Sequence, residues 1–136
     1  MKNLILVSTI TLFSSHAFCQ TEKKDAIDIA TEKCINSNPS TSGMESCVEE
    51  AYTKWDAELN KVYKQLMAVL KPEQKTALQT AQIEWLKYRD LEFKNIANIY
   101  NMQGSMYPLM AANARMEFLK TRVLNLRSYY GAATGF

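Results

Sequence analysis

The stretch WDAELNKVYKQL, residues 55–66, has the spacing of an amphipathic helix and indicates the fold class. Large apolar side chains recur there at intervals of three and four residues, which places them on one helix face. They are Trp55, Leu59, Val62 and Leu66. Asp56, Asn60 and Tyr63 form a second line at the same spacing, one position round the helix. The stretch therefore predicts a helix whose buried face is bordered by a polar line.

Helical periodicity continues over most of the chain, and no run of residues alternates in the manner of a strand. We expect a short helix and then three long ones, at about residues 24–36, 43–70, 72–100 and 106–130. Pro72 suits the first turn of the third helix, and Gly104 and Ser105 suit a turn and an N-cap before the fourth. Because short connections favour antiparallel neighbours, the sequence predicts an all-α fold, a small antiparallel up-and-down bundle. The final residues, GAATGF, are expected to fray.

Residues 1–19 have the features of a secretory signal peptide. Lys2 precedes an apolar run, and small residues follow near Ala17 and Cys19. The apolar run is too short and too rich in Ser and Thr to remain as a membrane span. Cleavage after Cys19 fits the spacing best, with cleavage after Ala17 as the alternative. We therefore expect one domain over residues 20–136, exported to the bacterial periplasm or secreted, without stable membrane insertion.

Loss of the signal peptide limits the chemistry of the remaining chain. The only histidine, His16, leaves with it, and the loss of Lys2 reduces the net charge from +2 to about +1. A nearly neutral domain gives no reason to expect a nucleic-acid partner. The chain has no phosphate-binding glycine loop, no nucleophile elbow and no metal-ligand spacing. We expect no cofactor, no metal and no catalytic activity.

Cys34 and Cys47 are the two cysteines of the expected mature chain. In an exported protein they most economically form one disulfide, with two free thiols as the alternative. The segment between them is rich in Asn, Ser, Pro and Gly, so we do not expect it to be helical throughout. Closing a loop of this length stabilises a fold by roughly 3 kcal/mol in the chain-entropy model.

The polar line of the second helix has a counterpart on the third. If these helices pack antiparallel about Lys71, Asn60 lies opposite Gln82, and Asp56 lies within one turn of Arg89. An amide then meets an amide, and a carboxylate meets a guanidinium. Because burying an unpaired charge costs several kcal/mol, such pairing is what burial requires.

We interpret these residues as a structural polar seam that sets the register of the two helices, with Tyr63 and Asp90 as further members. The alternative is an acid–base pair of Asp56 with Glu58 or with Asp90. Such a pair needs a pocket, which close-packed helices provide poorly. The third helix is expected to bury an apolar stripe consisting of Leu78, Ala81, Trp85, Tyr88, Ile96 and Ile99.

The same residues resemble a known family. The cysteine pair is followed by A-Y-x3-D-x2-L-N-x2-Y-x2-L at residues 51–66 and by L-x2-A-Q-x2-W-x2-Y-R-D at residues 78–90. Gly104-Ser105 and a late arginine, Arg122, complete the order. This combination resembles the lysozyme inhibitor LprI-like domain family over about residues 34–126. The resemblance implies an exported helical domain and adds Arg122 to the polar seam.

The resemblance also implies a protein partner, since a member of that family inhibits lysozyme. Lysozyme-type enzymes use two carboxylates in an open cleft, which a loop that donates hydrogen bonds can block. Two loops, residues 36–43 and 101–108, are candidates. In the second, Gly104, Ser105 and Tyr107 are the predicted partner-binding residues. The alternative is that Ser105 is only an N-cap and Tyr107 an aromatic at the edge of the core.

Three hypotheses therefore stand for the function. The first is an inhibitor of lysozyme or of another peptidoglycan hydrolase. The second is an immunity protein against a cell-wall-degrading toxin, or an envelope stress or structural factor that does not inhibit lysozyme. The third, an enzyme, lacks suitable residues. The Met-rich stretch SMYPLMAANARM of the fourth helix is either plain core or an adaptable binding face.

Overall fold

The computed structural model describes residues 24–135, which form four α-helices joined by short turns. The helices are α1 (Ala26–Ser37), α2 (Thr41–Val69), α3 (Pro72–Ile99) and α4 (Met106–Thr134). No strand occurs within the described range. The predicted all-α bundle, with one short and three long helices, is confirmed. The predicted signal peptide lies outside the described residues.

Local side-chain chemistry determines where the helices begin. Asp25 Oδ1 accepts a hydrogen bond from the backbone N–H of Ile27 at 2.8 Å, at the start of α1. Ser40 Oγ accepts one from the N–H of Gly43 at 3.1 Å, at the start of α2. Each bond satisfies an N–H that has no partner within its own helix. Pro72 occupies the first turn of α3, as predicted.

The connection between α1 and α2 is shorter than predicted. Only residues 38–40 lie outside the helices, whereas the sequence predicted a loop over 36–43. Gly43 is needed here because a Cβ at this position would come within 2.9 Å of two side-chain atoms of the turn. The disulfide between Cys34 and Cys47 is present, with its Cα atoms 5.7 Å apart, and it holds α1 against α2.

The carboxyl end of α4 is longer than predicted. Residues 131–134 are helical, so the prediction that this segment frays is wrong for them. Gly135 then adopts a left-handed conformation, with φ of 84°, and its N–H donates to the carbonyl of Gly131 at 3.0 Å. A glycine in this conformation is a common way for a helix to end.

The centre of the bundle is formed by α2 and α4, which run parallel. Ion pairs Glu49–Arg115 and Glu58–Arg127 join the two helices at nearly the same sequence offset, which indicates parallel directions. All but one residue of the buried apolar cluster come from these two helices. The cluster comprises Val48, Ala51, Trp55, Leu59, Val62, Leu66, Leu78, Ala112, Met116, Leu119, Val123 and Leu126. The apolar stripe of residues 55–66 is thus buried as predicted.

Helix α3 packs on α4 and runs antiparallel to it. The Trp85 ring stacks on Phe118, with a centroid distance of 5.7 Å and an interplanar angle of 13°. Three residues earlier on α3, Gln82 Oε1 accepts a hydrogen bond from Arg122 Nε at 3.0 Å, four residues further along α4. The contact between α2 and α4 is much more extensive than any contact of α3. The expectation that α2 and α3 form the close antiparallel pair is therefore wrong.

Half of the predicted stripe of α3 is confirmed, since Leu78 and Ile96 are buried and Trp85 is half-buried. Ala81, Tyr88 and Ile99 were predicted in the core, and all three are exposed. Gln82 is buried instead, with 8% exposure, and Arg89 is half-buried. Polar side chains can occupy this face because α4 supplies a hydrogen-bond partner for Gln82, and aromatic rings of α3 itself lie beside the Arg89 guanidinium.

Candidate functional site: a polar groove between α2 and α3

A groove separates α2 from α3 because α3 packs on α4 instead. Its volume is about 390 Å³. We call it the α2–α3 groove and define it by the residues that line it. They are Asp56, Leu59, Asn60 and Tyr63 from α2, with Gln79, Gln82, Ile83, Leu86 and Arg89 from α3. The structure therefore brings most of the predicted polar seam together, around an open space.

The two direct contacts predicted across the seam are absent among the described side chains. Asn60 Nδ2 donates to the backbone carbonyl of Asp56 at 2.9 Å, within α2. Arg89 Nε and Nη2 donate to Asp90 Oδ1 at 3.0 and 2.8 Å, within α3. Asp90 is exposed and does not line the groove. Because α3 packs on α4, Asn60 and Arg89 make their hydrogen bonds within their own helices and not across the gap.

Gln82 forms the best-buried polar part of the groove lining. Its Oε1 accepts the hydrogen bond from Arg122 Nε, which orients the amide. Among residues 24–135, Nε2 of Gln82 has no hydrogen-bond partner. An amide NH₂ can donate two hydrogen bonds. The groove lining therefore includes a donor that the protein itself leaves available.

Two guanidinium groups flank the Trp85 indole. The Cζ atom of Arg122 lies 5.7 Å from the Trp85 ring centroid, and the Cζ atom of Arg89 lies 5.9 Å from it. Burial lowers the pKa of Arg122 below its ordinary value. No carboxylate of the described residues lies within 4.0 Å of the Arg122 guanidinium. Cation–π contacts with the indole, about 0.5–1 kcal/mol each at exposed sites, help to hold both arginines in place.

The predicted partner-binding residues lie at the turn between α3 and α4. Gly104 has a φ of 119°, a conformation that favours glycine. Ser105 immediately precedes α4, but its side chain makes no capping hydrogen bond. Tyr107 is half-buried in the first turn of α4, so the predicted loop 101–108 is partly helical. A role of these residues in partner binding stays a prediction.

A second cavity, which the sequence did not predict as a pocket, lies at the same end of the bundle. It has a volume of about 360 Å³ and a mostly apolar lining from α1, α2, α4 and the turn before α4. Its lining consists of Ile35, Met44, Val48, Tyr100, Met106, Leu109, Met110, Asn113 and Ala114. The Met-rich stretch of α4 thus divides between the two hypotheses: Met116 is core, with 4% exposure, while Met106 and Met110 are exposed. In the sequence, the spacing of four residues between Met106 and Met110 indicated that their side chains share one helix face.

Outside the groove, charged residues tie α1 to the rest of the bundle. Arg127 donates to Asp25 Oδ2 at 2.6 Å and to Glu58 Oε1 at 2.8 Å. Partial burial is the largest single influence and acts to raise the pKa of both carboxyls, but the hydrogen bonds from Arg127, together with further hydrogen bonds and nearby positive charges, lower both pKa values overall. Lys120 pairs with Asp28 at 2.8 Å in the same region. These contacts are structural in kind, since they join three helices around the buried core.

Two further features bear on the kinds of site present. Residues 24–135 contain no cluster of three or more His, Cys, Asp or Glu side chains placed to hold a metal ion. Within the same range, no helix combines the length and apolar character needed to cross a membrane.

The fold and its groove define a small, disulfide-linked helical domain of the kind that presents a binding surface on a rigid scaffold. The chain belongs to the lysozyme inhibitor LprI family, whose profile matches residues 34–126. An uncharacterised protein of Rhizobium meliloti (strain 1021) is 28% identical over 100 residues, which cover 64% of this chain and 71% of that protein.

A solved structure shows a similar fold. The crystal structure of an uncharacterised protein from Burkholderia thailandensis matches with a TM-score of 0.77 and 28% sequence identity. The match covers 82% of this chain and 56% of the other, so this chain corresponds to little more than half of that protein. The family is described by an inhibitor activity, which fits a protein-binding domain that acts on a protein partner.

Proposed function

We propose that this protein is an exported inhibitor of lysozyme or of a related peptidoglycan hydrolase. The observation that carries the proposal is the family match over residues 34–126, which includes the disulfide, the groove and the turn before α4. The signal-peptide pattern of residues 1–19 supports export, because the hydrolases that cleave peptidoglycan act outside the cytoplasm.

The scaffold suits an inhibitor because its surface is held in place before binding. The tightly packed core of α2 and α4 and the disulfide at α1 hold in place the α2 wall of the groove and the helix that follows the turn. A partner that binds such a surface does not have to order it, so less binding free energy is lost. With a net charge near +1 after signal removal, recognition depends on shape and hydrogen bonds more than on long-range attraction.

The test is an inhibition assay on the oxidised protein from Gln20 onward. The lysis of bacterial cell walls by c-type and g-type lysozymes is followed by turbidity while the protein is titrated. We expect inhibition at near-stoichiometric amounts of protein to enzyme, since the protein binds the enzyme and not the cell wall. A folded, monodisperse sample that inhibits neither enzyme in large excess would refute the proposal and favour an envelope protein with another partner.

The predicted turn residues are tested in the same assay. Replacement of Tyr107 by Ala removes a half-buried phenol beside Gly104. If the turn contacts the enzyme, inhibition weakens about tenfold or more, as for other aromatic contact residues. A matched control is Tyr129→Ala, which removes an exposed tyrosine from the far end of the same helix.

A further inference from the structure

We propose that the α2–α3 groove binds an extended peptide segment of a protein partner, recognised through one backbone amide and one aliphatic side chain. The proposal rests on the proposed function in one respect, namely that the partner is a protein. It assigns the contact to a surface other than the turn at residues 100–105.

The first argument is the hydrogen-bonding capacity left in the groove. Gln82 is 8% exposed, lines the groove, and has no described partner for Nε2. Facing it on α2, Asn60 uses Nδ2 to bond the carbonyl of Asp56, so its Oδ1 remains free to accept. A peptide group presents one C=O and one N–H. One donor on α3 and one acceptor on α2 complement that group.

The second argument is the apolar wall beside these amides. Ile83 is 48% exposed and Leu86 is 36% exposed, and both line the groove on α3. Leu59 contributes apolar surface at its base. Extended peptides alternate their side chains, so a segment whose backbone bonds the amides directs a side chain toward one wall. An aliphatic residue of the partner fits this wall.

The third argument excludes other occupants. The Asp56 carboxylate and the Arg89 guanidinium both line the groove, and Arg89 is already paired with Asp90, so the groove has no net positive charge to attract a polyanion. Tyr63 is the only aromatic side chain in the lining, whereas sugar rings are usually held on aromatic faces. From Asp56 to Tyr63 the groove runs about 10 Å along the helix axis, which matches about three residues of extended chain.

The experiment starts from linear random peptides displayed on phage and selected against the full oxidised mature chain. The affinity of a selected peptide is then measured by fluorescence anisotropy for the wild type and for Ile83→Ser. The matched control is Ile99→Ser, which changes an exposed isoleucine of the same helix, at 54% exposure, outside the groove. We expect roughly tenfold weaker binding for Ile83→Ser and unchanged binding for Ile99→Ser.

Asn60→Ala tests the backbone contact independently. Asn60 is exposed, so its replacement does not threaten the fold, whereas replacing Gln82 also removes the acceptor for Arg122. We expect several-fold weaker peptide binding for Asn60→Ala. Asn125→Ala, at an exposed asparagine on α4, is the control and is expected to bind like the wild type.

Three results would overturn the groove proposal. The first is a selection that enriches no peptide. The second is an equal loss of peptide affinity in the Ile83→Ser and Ile99→Ser variants. The third is an NMR titration in which tri-N-acetylchitotriose shifts the side-chain amide resonances of Gln82 and the selected peptides do not. The lysozyme assay separates this proposal from the proposed function. If the wild type inhibits lysozyme and Ile83→Ser inhibits it equally well, the contact with lysozyme uses another surface and its assignment to the groove fails. If peptides bind as expected but no lysozyme is inhibited, the proposed function fails and the groove stands as a peptide site.

Discussion

Replacement of Arg127 by methionine is expected to destabilise the fold substantially, although Arg127 lies on the surface of the bundle. Its guanidinium bonds Asp25 and Glu58, whose side chains are only 21% and 17% exposed, and its Cζ lies 5.4 Å from the ring centroid of the fully buried Trp55. Methionine keeps much of the aliphatic stem but leaves both half-buried carboxylates without a cation. The variant therefore tests whether this contact stabilises the packing of α1 and α2 on α4.

The magnitude follows from the burial of the three groups. Exposed ion pairs contribute about 0–1 kcal/mol, and breaking a buried pair costs about 3–5 kcal/mol. Arg127 is itself 35% exposed, so solvent screening places each of its two pairs nearer the lower range, at about 1 kcal/mol. Loss of the contact with Trp55 adds about 0.5–1 kcal/mol. The free energy of unfolding should fall by ~2–3 kcal/mol, which is roughly 10 °C in Tm for a domain of this size.

Arg115→Met is the matched control. Arg115 lies on the same helix and pairs with one carboxylate, Glu49, but the two side chains are 37% and 48% exposed. Its loss should cost less than about 0.5 kcal/mol, or ~2 °C. Both variants are compared with the wild type by thermal unfolding monitored by circular dichroism at pH 7. Equal shifts in Tm for Arg127→Met and Arg115→Met would refute the reasoning from burial.

The pH dependence provides a second check on the same variant. The hydrogen bonds from Arg127 lower the pKa of Asp25 and Glu58 in the folded protein, against the opposing effect of burial. A carboxyl pKa that is lowered on folding stabilises the fold fully at pH values above the pKa of the unfolded state, near 4. This stabilisation is lost as the pH falls through the pKa of the folded state. The difference in Tm between wild type and Arg127→Met should therefore be constant from pH 7 to about 5 and shrink below about pH 4. A difference that stays constant to pH 2 would mean that the carboxylates do not carry it.

Three other predictions follow from the described contacts. Asp56→Ala and Arg89→Ala should change the free energy of unfolding additively, within about 0.5 kcal/mol, because the two side chains face an open groove. Strong coupling in the double variant would instead show that the two side chains contact each other. Gly131→Ala should raise the free energy of unfolding by about 0.5–1 kcal/mol, since nothing lies within 4 Å of the added Cβ, whereas Gly43→Ala should lower it; denaturant unfolding that shows the same sign for both would contradict the turn geometry. Cys47→Ser should lower Tm by an amount equivalent to roughly 3 kcal/mol, which the wild type should reproduce on reduction, and an unchanged Tm would show that the disulfide adds nothing to the helix packing.

The ion pairs of Arg127 and the α2–α3 groove differ in their position relative to the segment that the family profile matches. The family profile covers residues 34–126, so Asp25 and Arg127 both lie outside the matched segment. All residues of the groove lining lie inside the segment. The contact that fastens the first turn of α1 is thus separate from the part of the chain that carries the family resemblance, and Arg127→Met should leave inhibition by the folded protein unchanged.

Several features of the fold were predictable because they depend on neighbours in sequence. Apolar spacing over residues 55–66 correctly predicted both the helix and its buried face. The disulfide was predictable from two cysteines in a chain predicted to be exported, and Pro72 marked the start of α3. Resemblance in the ordered motifs led to the family that the profile match then established.

Prediction failed where the outcome depended on contacts between distant residues. Antiparallel pairing of α2 with α3 was assumed from their short connection, but the extensive apolar stripes of α2 and α4 bury more surface against each other. The polar face of α3 was misassigned because Gln82 and Arg89 were predicted to meet polar residues of α2. Gln82 instead bonds Arg122 of α4, and Arg89 bonds Asp90 of its own helix. The partner of Gln82, an arginine 40 residues away, cannot be read from local spacing, whereas the two rings near Arg89 lie four residues away on α3 itself.

By itself, the sequence determined the helices, their approximate ends, the disulfide and the family, because helical hydrogen bonds join residues four apart and the motifs lie along single helices. Only the tertiary structure decided that α2 and α4 pair in parallel, that α3 packs on α4, and that the polar residues of α2 and α3 line a groove. The physical reason is that competing ways of burying the same apolar surface differ in contacts between residues distant in the chain. The stacking of Trp85 on Phe118 draws α3 toward α4, and the open groove is the consequence.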